Sequence, residues 1–313
     1  MSNKPLKIVF AGTPDFACPS LTALVRDTDL SIKLVITQPD KPSGRGLEFT
    51  KPAIKVLAEK INLPLTQPEK INQLKARLLE IKPDVIVAVA YSQLIPEDLL
   101  AIPRLGWINV HASLLPRYRG AGVIQAPILN NDQESGVTIM LMAKGLDTGP
   151  ILAQSRVTLS LNETAGSLSE SLSQLGGSLL LKTLKAYVAG DIKPREQEHT
   201  QSTYVGLIKK QNALIDWNKP AKTIEKLVRA MSPWPTAWTW LNGRQLKITA
   251  AEPKTLPINT YKVGKTFLYN NMLAVQCGED SLLINRLKLE SKNEVTAKAF
   301  INGHQDLIGQ ILG

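Results

Sequence analysis

Lys7-Ile8-Val9-Phe10-Ala11 is a short apolar run that stops at Gly12-Thr13-Pro14. A run with no polar alternation reads as a strand buried on both faces, and the Gly-Thr-Pro stop reads as a turn. The same texture returns at residues 30–36, closed by Gln38-Pro39-Asp40-Lys41-Pro42, at 84–90 and at 106–111. Between these runs, residues 16–26, 51–62 and 70–80 carry apolar residues at helical spacing. Strands alternating with helices predict a right-handed, mostly parallel α/β sheet, Rossmann-like in plan. Ligands in such sheets sit at the carboxyl ends of strands. Gly12-Thr13-Pro14-Asp15 lacks the later glycines of a dinucleotide fingerprint, so Pro14 reads as the first-turn residue of a helix.

At 313 residues the chain is long enough for two domains. Residues 161–189 are rich in Ser and Leu, with Leu168, Leu172, Leu175 and Leu179 at helical spacing. Residues 190–208 are polar, contain Pro194 and read as a linker. Beyond Lys209 the texture changes. Residues 222–230 suggest one short helix. Strand-like runs follow at 237–241, 245–251, 267–269, 272–276 and 281–289, divided by Asn242-Gly243, Asn270-Asn271 and Gly278-Glu279-Asp280. Such a pattern predicts a small OB-like β-barrel over 209–313 after a first domain over 1–189.

Charge is spread unevenly. Residues 1–208 hold 22 Lys and Arg against 19 Asp and Glu, a net of +3, while residues 209–313 hold 15 against 8, a net of +7. The asymmetry fits either a solubility surface or a polyanionic partner of the second domain. Lys209, Lys210 and Arg229 are its candidate phosphate contacts. Trp234, Trp238 and Trp240 read as barrel core in preference to a base-stacking platform. Cys18 and Cys277 lie in different domains, His111, His199 and His304 are scattered, and no zinc spacing is present, so no metal is expected. The first apolar stretch is too short for a signal peptide, and residues 84–90 fall far below a membrane span. A soluble, cytoplasmic monomer is the expectation.

The chemistry concentrates near the middle of the chain. In a strand, Trp107, Asn109 and His111 point to one face, with Ile108 and Val110 on the other. Two polar groups at the end of a strand need partners. One reading has them bonded to a neighbouring loop; the other has them donating to an oxyanion. Pro116 and Gly120 bracket a rigid bend after the strand, and Asp147 follows within Gly145-Leu-Asp-Thr-Gly149. Asp147 reads either as a turn former or as a carboxylate that fixes the tautomer of His111, favours its charged form and assists proton transfer. The loop over residues 39–46 holds Lys41 and Arg45 between prolines and glycines. It reads as a plain surface loop or as a lid whose arginine reaches a phosphate.

These residues together resemble a known family. Asn109-Val-His-Ala-Ser-Leu-Leu-Pro-Arg-Tyr-Arg-Gly120, Gly136-Val-Thr-Ile-Met140 and Gly145-Leu-Asp-Thr-Gly149 are similar to the folate-dependent formyltransferases. Phe10-Ala-Gly-Thr-Pro-Asp-Phe-Ala17, Gln38-Pro-Asp-Lys-Pro-Ser-Gly-Arg-Gly46 and Ser232-Pro-Trp-Pro-Thr-Ala-Trp238 resemble the bacterial branch that acts on methionyl-tRNA. The resemblance spans essentially the whole chain. It implies a Rossmann-like formyltransferase domain followed by an OB-like tRNA-binding domain. It implies formyl transfer from 10-formyltetrahydrofolate to the α-amine of methionyl-initiator tRNA. By the same resemblance Asn109, His111 and Asp147 match the catalytic trio, Ser113, Leu114, Leu115 and Pro116 match the folate-binding loop, and Arg45 matches an arginine that engages the tRNA acceptor end. Glu48, Gly122-Val123, Ala126-Pro127 and Ala143-Lys144 depart from the family pattern, and none of them touches the trio.

Three rivals share parts of this pattern. A formyltransferase acting on a small amine would keep the central motifs, but would not need the cationic second domain. A non-catalytic RNA-binding protein would leave Asn109, His111 and Asp147 without a role. A hydrolase built on Ser113 would want a Gly-x-Ser-x-Gly elbow, which is absent around that serine.

Overall fold

A computed structural model describes residues 4–43, 48–255 and 261–313. They form two compact units. The first comprises Met1–Val123, Glu134–Thr158 and Ser169–Val205; the second comprises Ile124–Gln133, Leu159–Leu168 and Gly206–Gly313.

In the first unit, β1 (Leu6–Gly12), β2 (Leu30–Ile36), β5 (Leu65–Thr66), β6 (Val85–Val89) and β7 (Trp107–His111) are joined by β9 (Glu134–Leu141) and β10 (Ile151–Thr158). The order across the sheet is β10-β9-β7-β6-β1-β2-β5. Strands β7, β6, β1, β2 and β5 run parallel, and β9 and β10 add an antiparallel edge. The chain reverses its direction of travel across the sheet between β1 and β6, the switch point where such sheets bind ligands. Two short pairs complete the unit. They are β3 (Lys41–Ser43) with β4 (Glu48–Thr50), and β8 (Arg119–Gly120) with β11 (Tyr204–Val205).

Burial explains why the strands read as unbroken apolar runs. Val9, Ala11, Leu34, Ile36, Ile86, Ala88 and Trp107 form one core with Ile71, Leu74 and Leu78, whose segment includes α3 (Lys75–Ile81). Trp107 donates through Nε1 to the carbonyl of Leu99 at 2.8 Å, in the short helix α4 (Glu97–Leu100). Helices α1 (Cys18–Val25) and α2 (Ala53–Lys60) fall inside the spans expected for them. The opposite face carries the long helix. Residues 165–168 open α6 (Ala165–Ala189), and its buried stripe is Leu168, Leu172, Leu180 and Leu184 rather than the expected Leu168, Leu172, Leu175 and Leu179. The reason is Gly176, which takes the middle place in that stripe. A Cβ there would lie 2.9 Å from Val110 Cγ1.

Three further expectations change. The polar segment 190–208 is not a free tether, because residues as far as Val205 belong to the first unit. Arg195 and Ile151 exchange two backbone hydrogen bonds of 2.9 and 2.7 Å, and β11 adds a strand to β8. The loop over 39–46 begins as a hairpin strand, anchored by Asp40, which accepts from Gln67 and Lys55 at 2.7 Å each. Those two bonds hold the Asp40 carboxyl below its ordinary pKa. Arg45 lies outside the described residues. The first and second domains are also not divided at a single point in the chain, since the segments 124–133 and 159–168 belong to the second unit.

The second unit holds β12 (Ala237–Leu241), β13 (Arg244–Lys254), β14 (Thr266–Tyr269), β15 (Met272–Gln276), β16 (Ser281–Leu289) and β17 (Val295–Thr296). They make an antiparallel, barrel-like sheet of order β12-β13-β16-β15-β14, with β17 on β16. Short helices α5 (Gln125–Leu129), α7 (Ala221–Ala230) and α8 (Ala297–Gly303) belong to the same unit. Ile224 and Val228 of α7 pack into its core beside Leu246, Ile248, Leu273 and Leu287. Of the three tryptophans expected in the core, Trp238 alone is buried, at 8% exposed; Trp234 and Trp240 are 55% and 42% exposed. Trp238 is fixed by a 3.0 Å bond from Nε1 to the Lys210 carbonyl, and Trp240 packs edge-on against it.

The packing of α6 gives a test. Alanine normally stabilises a helix relative to glycine by roughly 1 kcal/mol. At Gly177, however, a Cβ would lie 2.9 Å from backbone atoms of Pro19. Gly177→Ala should therefore reverse the usual sign and destabilise the fold by about 1–3 kcal/mol, as measured by urea denaturation. A stabilised variant would contradict this packing.

Candidate active site

Strand β7 ends at the switch-point edge of the sheet, and it delivers Asn109 and His111 there. His111 is 6% exposed. Its Nε2 lies 2.9 Å from the backbone carbonyl of Tyr118. A carbonyl only accepts, so Nε2 carries a proton and Nδ1 is the nitrogen left for chemistry. Nδ1 faces Asp147 Oδ1 at 3.7 Å. That distance is too long for a hydrogen bond but close enough for an ion pair when His111 is doubly protonated. The two side chains are 6% and 13% exposed, so little water screens them. At an effective dielectric near 20, their attraction is about 4 kcal/mol before desolvation is counted. The tautomer of His111 is therefore set by Tyr118, not by Asp147 as the sequence suggested. Asp147 stands within ion-pair distance of His111 Nδ1.

Asp147 is also held. Its Oδ2 accepts from the backbone N–H of Gly120 at 2.8 Å. Its φ of 52° lies in the left-handed region, which Asp tolerates better than most residues. Gly149 closes the turn, and a Cβ there would meet the Leu141 carbonyl oxygen at 1.9 Å. Asn109 differs from its neighbours. It is half-buried, and among the described residues its side-chain amide makes no hydrogen bond. A half-buried amide left unpaired is poorly placed for stability and well placed for a ligand.

The loop after β7 is organised from beneath. Ser113 Oγ donates to the carbonyls of Arg117 and Tyr118 at 2.8 and 3.0 Å. That engagement leaves Ser113 no role as a nucleophile. Thr138, on β9, is the hub of the loop. Its hydroxyl donates to the Ser113 carbonyl at 2.6 Å and accepts from Leu115 N at 3.1 Å. Gln154 Nε2 adds bonds to Thr138 Oγ1 at 2.9 Å and to the Leu115 carbonyl at 2.8 Å. Leu115 is buried with Met140 and Ile151, while Leu114 and Pro116 stay half-exposed. The loop thus leaves Leu114 and Pro116 half-exposed on a fixed backbone.

The expected cationic residues divide. Lys41, Lys209 and Lys210 are exposed. Arg229 is occupied within its own unit. It is paired with Glu225, and its Nη1 donates to the Glu163 carbonyl at 3.0 Å, with its side chain only 16% exposed. Among the described residues, no group of three or more His, Cys, Asp or Glu could hold a metal ion. No helix in them is long and apolar enough to cross a membrane.

The residues that hold the site, rather than form it, were missed by sequence reading. A backbone carbonyl such as that of Tyr118 has no sequence signature. Thr138 and Gln154 look like ordinary strand residues. The one signal available was Gly120, which closes the Arg-Tyr-Arg-Gly run. Its φ is 104°, and a Cβ would lie 2.3 Å from the Val205 carbonyl oxygen.

Comparison with known proteins identifies the family of both parts of the chain. Residues 6–184 match the formyl transferase family model, and residues 207–305 match the formyl transferase C-terminal domain. A methionyl-tRNA formyltransferase of Geobacter metallireducens is 41% identical over 303 residues, covering 95% of this chain and 96% of the relative. One from Pseudomonas fluorescens is 40% identical over 318 residues, covering 99% and 98%. Among solved structures, the sugar 3N-formyl transferase WlaRD, crystallised with dTDP and 5-N-formyl-THF, aligns with a TM-score of 0.65 at 24% identity, over 92% of this chain and 99% of that one. HypX from Aquifex aeolicus in complex with tetrahydrofolic acid aligns with a TM-score of 0.66 at 14% identity. The chain is covered to 97% in that alignment and spans about half of HypX, 48% of its length. The two structures share the fold.

The hub at Thr138 gives a test of the loop. Thr138→Val keeps the shape but strands the Leu115 N–H and the Ser113 carbonyl in a buried place. It should destabilise the fold by roughly 2–4 kcal/mol in urea denaturation. A loss under about 0.5 kcal/mol would mean the loop is held by something else.

Proposed function

The chain belongs to the formyl transferase family, and on that premise we propose how its site works. It transfers a formyl group from 10-formyltetrahydrofolate to the α-amine of methionyl-tRNA. We assign the chemistry to Asn109, His111 and Asp147. The observation that carries the assignment is the unpaired Asn109 amide, two residues along the strand from a histidine whose Nδ1 is free and faces a carboxylate.

An α-amine titrates near pH ~8, and an adjacent ester lowers that value, so a neutral amine is available without a strong base. The amine attacks the formyl carbon and a tetrahedral oxyanion develops. The Asn109 amide N–H donates to that oxygen, an interaction worth about 3–4 kcal/mol in comparable sites. The proton released by the amine passes to Nδ1 of His111. The imidazolium so formed keeps its Nε2–H on the Tyr118 carbonyl and is stabilised by Asp147. Its Nδ1–H then faces the oxyanion and can be returned to N10 as the folate leaves. One proton leaves the amine and one arrives at N10, so the cycle balances.

Ser113, Leu114, Leu115 and Pro116 are proposed to form the folate-binding loop, with the half-exposed Leu114 and Pro116 meeting the ligand and the buried Ser113 and Leu115 fixing the backbone. Lys41, Arg45, Lys209 and Lys210 are proposed to contact tRNA phosphates. The net charge of +7 over residues 209–313 supports this. Arg229 is left out, since its guanidinium is already paired. We further propose that the tRNA is the initiator species, serving translation initiation, and that the chain acts as a cytoplasmic monomer. The trio lying within one unit of one chain is consistent with a monomer.

Asn109→Ala and Asp147→Ala should each lower turnover at least roughly a hundredfold with both substrates saturating. A purified, folded variant with near-normal turnover would remove that residue from its role. The tRNA assignment is tested by salt. Raising salt from about 50 to 200 mM should increase the KM for methionyl-tRNA roughly tenfold or more and leave the folate KM nearly unchanged. A flat response would favour a small amine as acceptor. Initiator methionyl-tRNA should be formylated far faster than the elongator species, and equal rates would refute the choice of initiator.

A further inference from the structure

Three consecutive residues grip both members of the His111–Asp147 pair. The Tyr118 carbonyl takes His111 Nε2, and the Gly120 N–H takes Asp147 Oδ2. Arg119 lies between them. Its side chain is 2% exposed, and among the described residues no carboxylate is paired with it. A buried cation with no counter-charge is costly unless its donors are fully used. Here Nε and Nη2 both donate to Gln197 Oε1, at 3.2 and 2.7 Å. Nη2 also donates to His199 Nδ1 and Nη1 to the Tyr204 hydroxyl, each at 2.9 Å.

The arginine decides how Gln197 is oriented. A guanidinium only donates, so the amide oxygen of Gln197 must face it and the amide nitrogen must face away. That nitrogen donates to the carbonyls of Asp147 and Gly149, at 2.8 and 2.7 Å. The strained, left-handed turn that carries Asp147 is therefore pinned by one amide, itself pinned by one buried arginine. The assembly is closed by β11, through Arg119 N to the Thr203 carbonyl at 2.8 Å and Ala121 N to the Val205 carbonyl at 3.0 Å. Gln197 is 5% exposed, so neither it nor Arg119 is placed to meet a substrate.

We propose that Arg119 and Gln197 are positioning residues that set the separation between His111 Nδ1 and the Asp147 carboxylate. The inference rests on the roles proposed above for His111 and Asp147. It makes the segment 190–205, polar and unremarked by its composition, a working part of the catalytic unit. Small displacements of reacting groups carry large rate effects, up to about a hundredfold for 1 Å.

Gln197→Glu tests the idea. The glutamate keeps the length and gives Arg119 a better partner, but has no N–H for the carbonyls of Asp147 and Gly149. We expect kcat to fall at least tenfold in a variant that melts lower but stays folded at the assay temperature, with KM for both substrates within about twofold. Gln197→Met, which keeps the volume but also strands the Arg119 donors, should lose kcat likewise and melt lower than Gln197→Glu. Wild-type kcat in either folded variant, or a loss confined to KM, overturns the inference. The second arm places Gln197→Glu in an Asp147→Ala background. A residue acting through Asp147 should then cause no further loss beyond about twofold, whereas a loss that multiplies overturns the inference. The two readings separate cleanly. An active Asp147→Ala variant refutes the role of Asp147 itself, while an inactive Asp147→Ala beside a fully active Gln197→Glu refutes the positioning role alone.

Discussion

A backbone carbonyl can only accept a hydrogen bond, and the one at Tyr118 therefore decides which nitrogen of His111 remains available. Every other feature of the site follows from that constraint. With Nε2 committed, Nδ1 is the nitrogen left open, and it faces Asp147 across 3.7 Å. A side chain in the place of that carbonyl could rotate away; a main-chain oxygen in a bend stitched to a neighbouring strand cannot. The bend is held by Thr203 and Val205 from one side and by Ser113 from the other. The orientation of His111 is thus set by main chain, while the Asp147 turn is also held by the Gln197 side chain.

The roles proposed above divide between the two units. Formyl transfer needs groups fixed to within a fraction of an ångström, and the first unit supplies them from a sheet whose central strands are buried on both faces. Holding a polyanion needs charge more than precision, and residues 209–313 supply the larger share of the excess cations. Arg229 illustrates the limit of reading charge alone. It adds to the count of cations, yet its guanidinium is bound to Glu225 and to the Glu163 carbonyl.

The fold class was legible because strands buried on both faces lose their polar alternation, and residues 8–11 and 85–89 show that loss. The position of Asn109 and His111 was legible because period two places them on one face at the carboxyl end of a strand. The antiparallel edge was not read, since β9 and β10 follow each other with no helix between them and so fall outside the strand–helix alternation that marks the parallel strands. The stripe on α6 was misread because a glycine, Gly176, takes a core position that pattern reading reserves for leucine. The linker was misread because Gln197 and Arg195 are polar, and polarity in a segment does not distinguish a tether from a strap whose partners are backbone carbonyls. Asp147 does lie beside His111, but the tautomer that its carboxylate was expected to fix is set by the Tyr118 carbonyl. A separation of 3.7 Å is a property of the folded turn, invisible in the spacing of Gly145-Leu-Asp-Thr-Gly149.

Nitrogen NMR of the intact protein, with the histidines labelled at both ring positions, reads the tautomer of His111 directly. His111→Gln identifies its signals among the three histidines of the chain. In the neutral form, Nε2 should carry the proton and Nδ1 should be bare, and on acidification Nδ1 should be the atom that gains one. A neutral His111 with its proton on Nδ1 would contradict the hold of the Tyr118 carbonyl, and with it the proton path drawn through that ring.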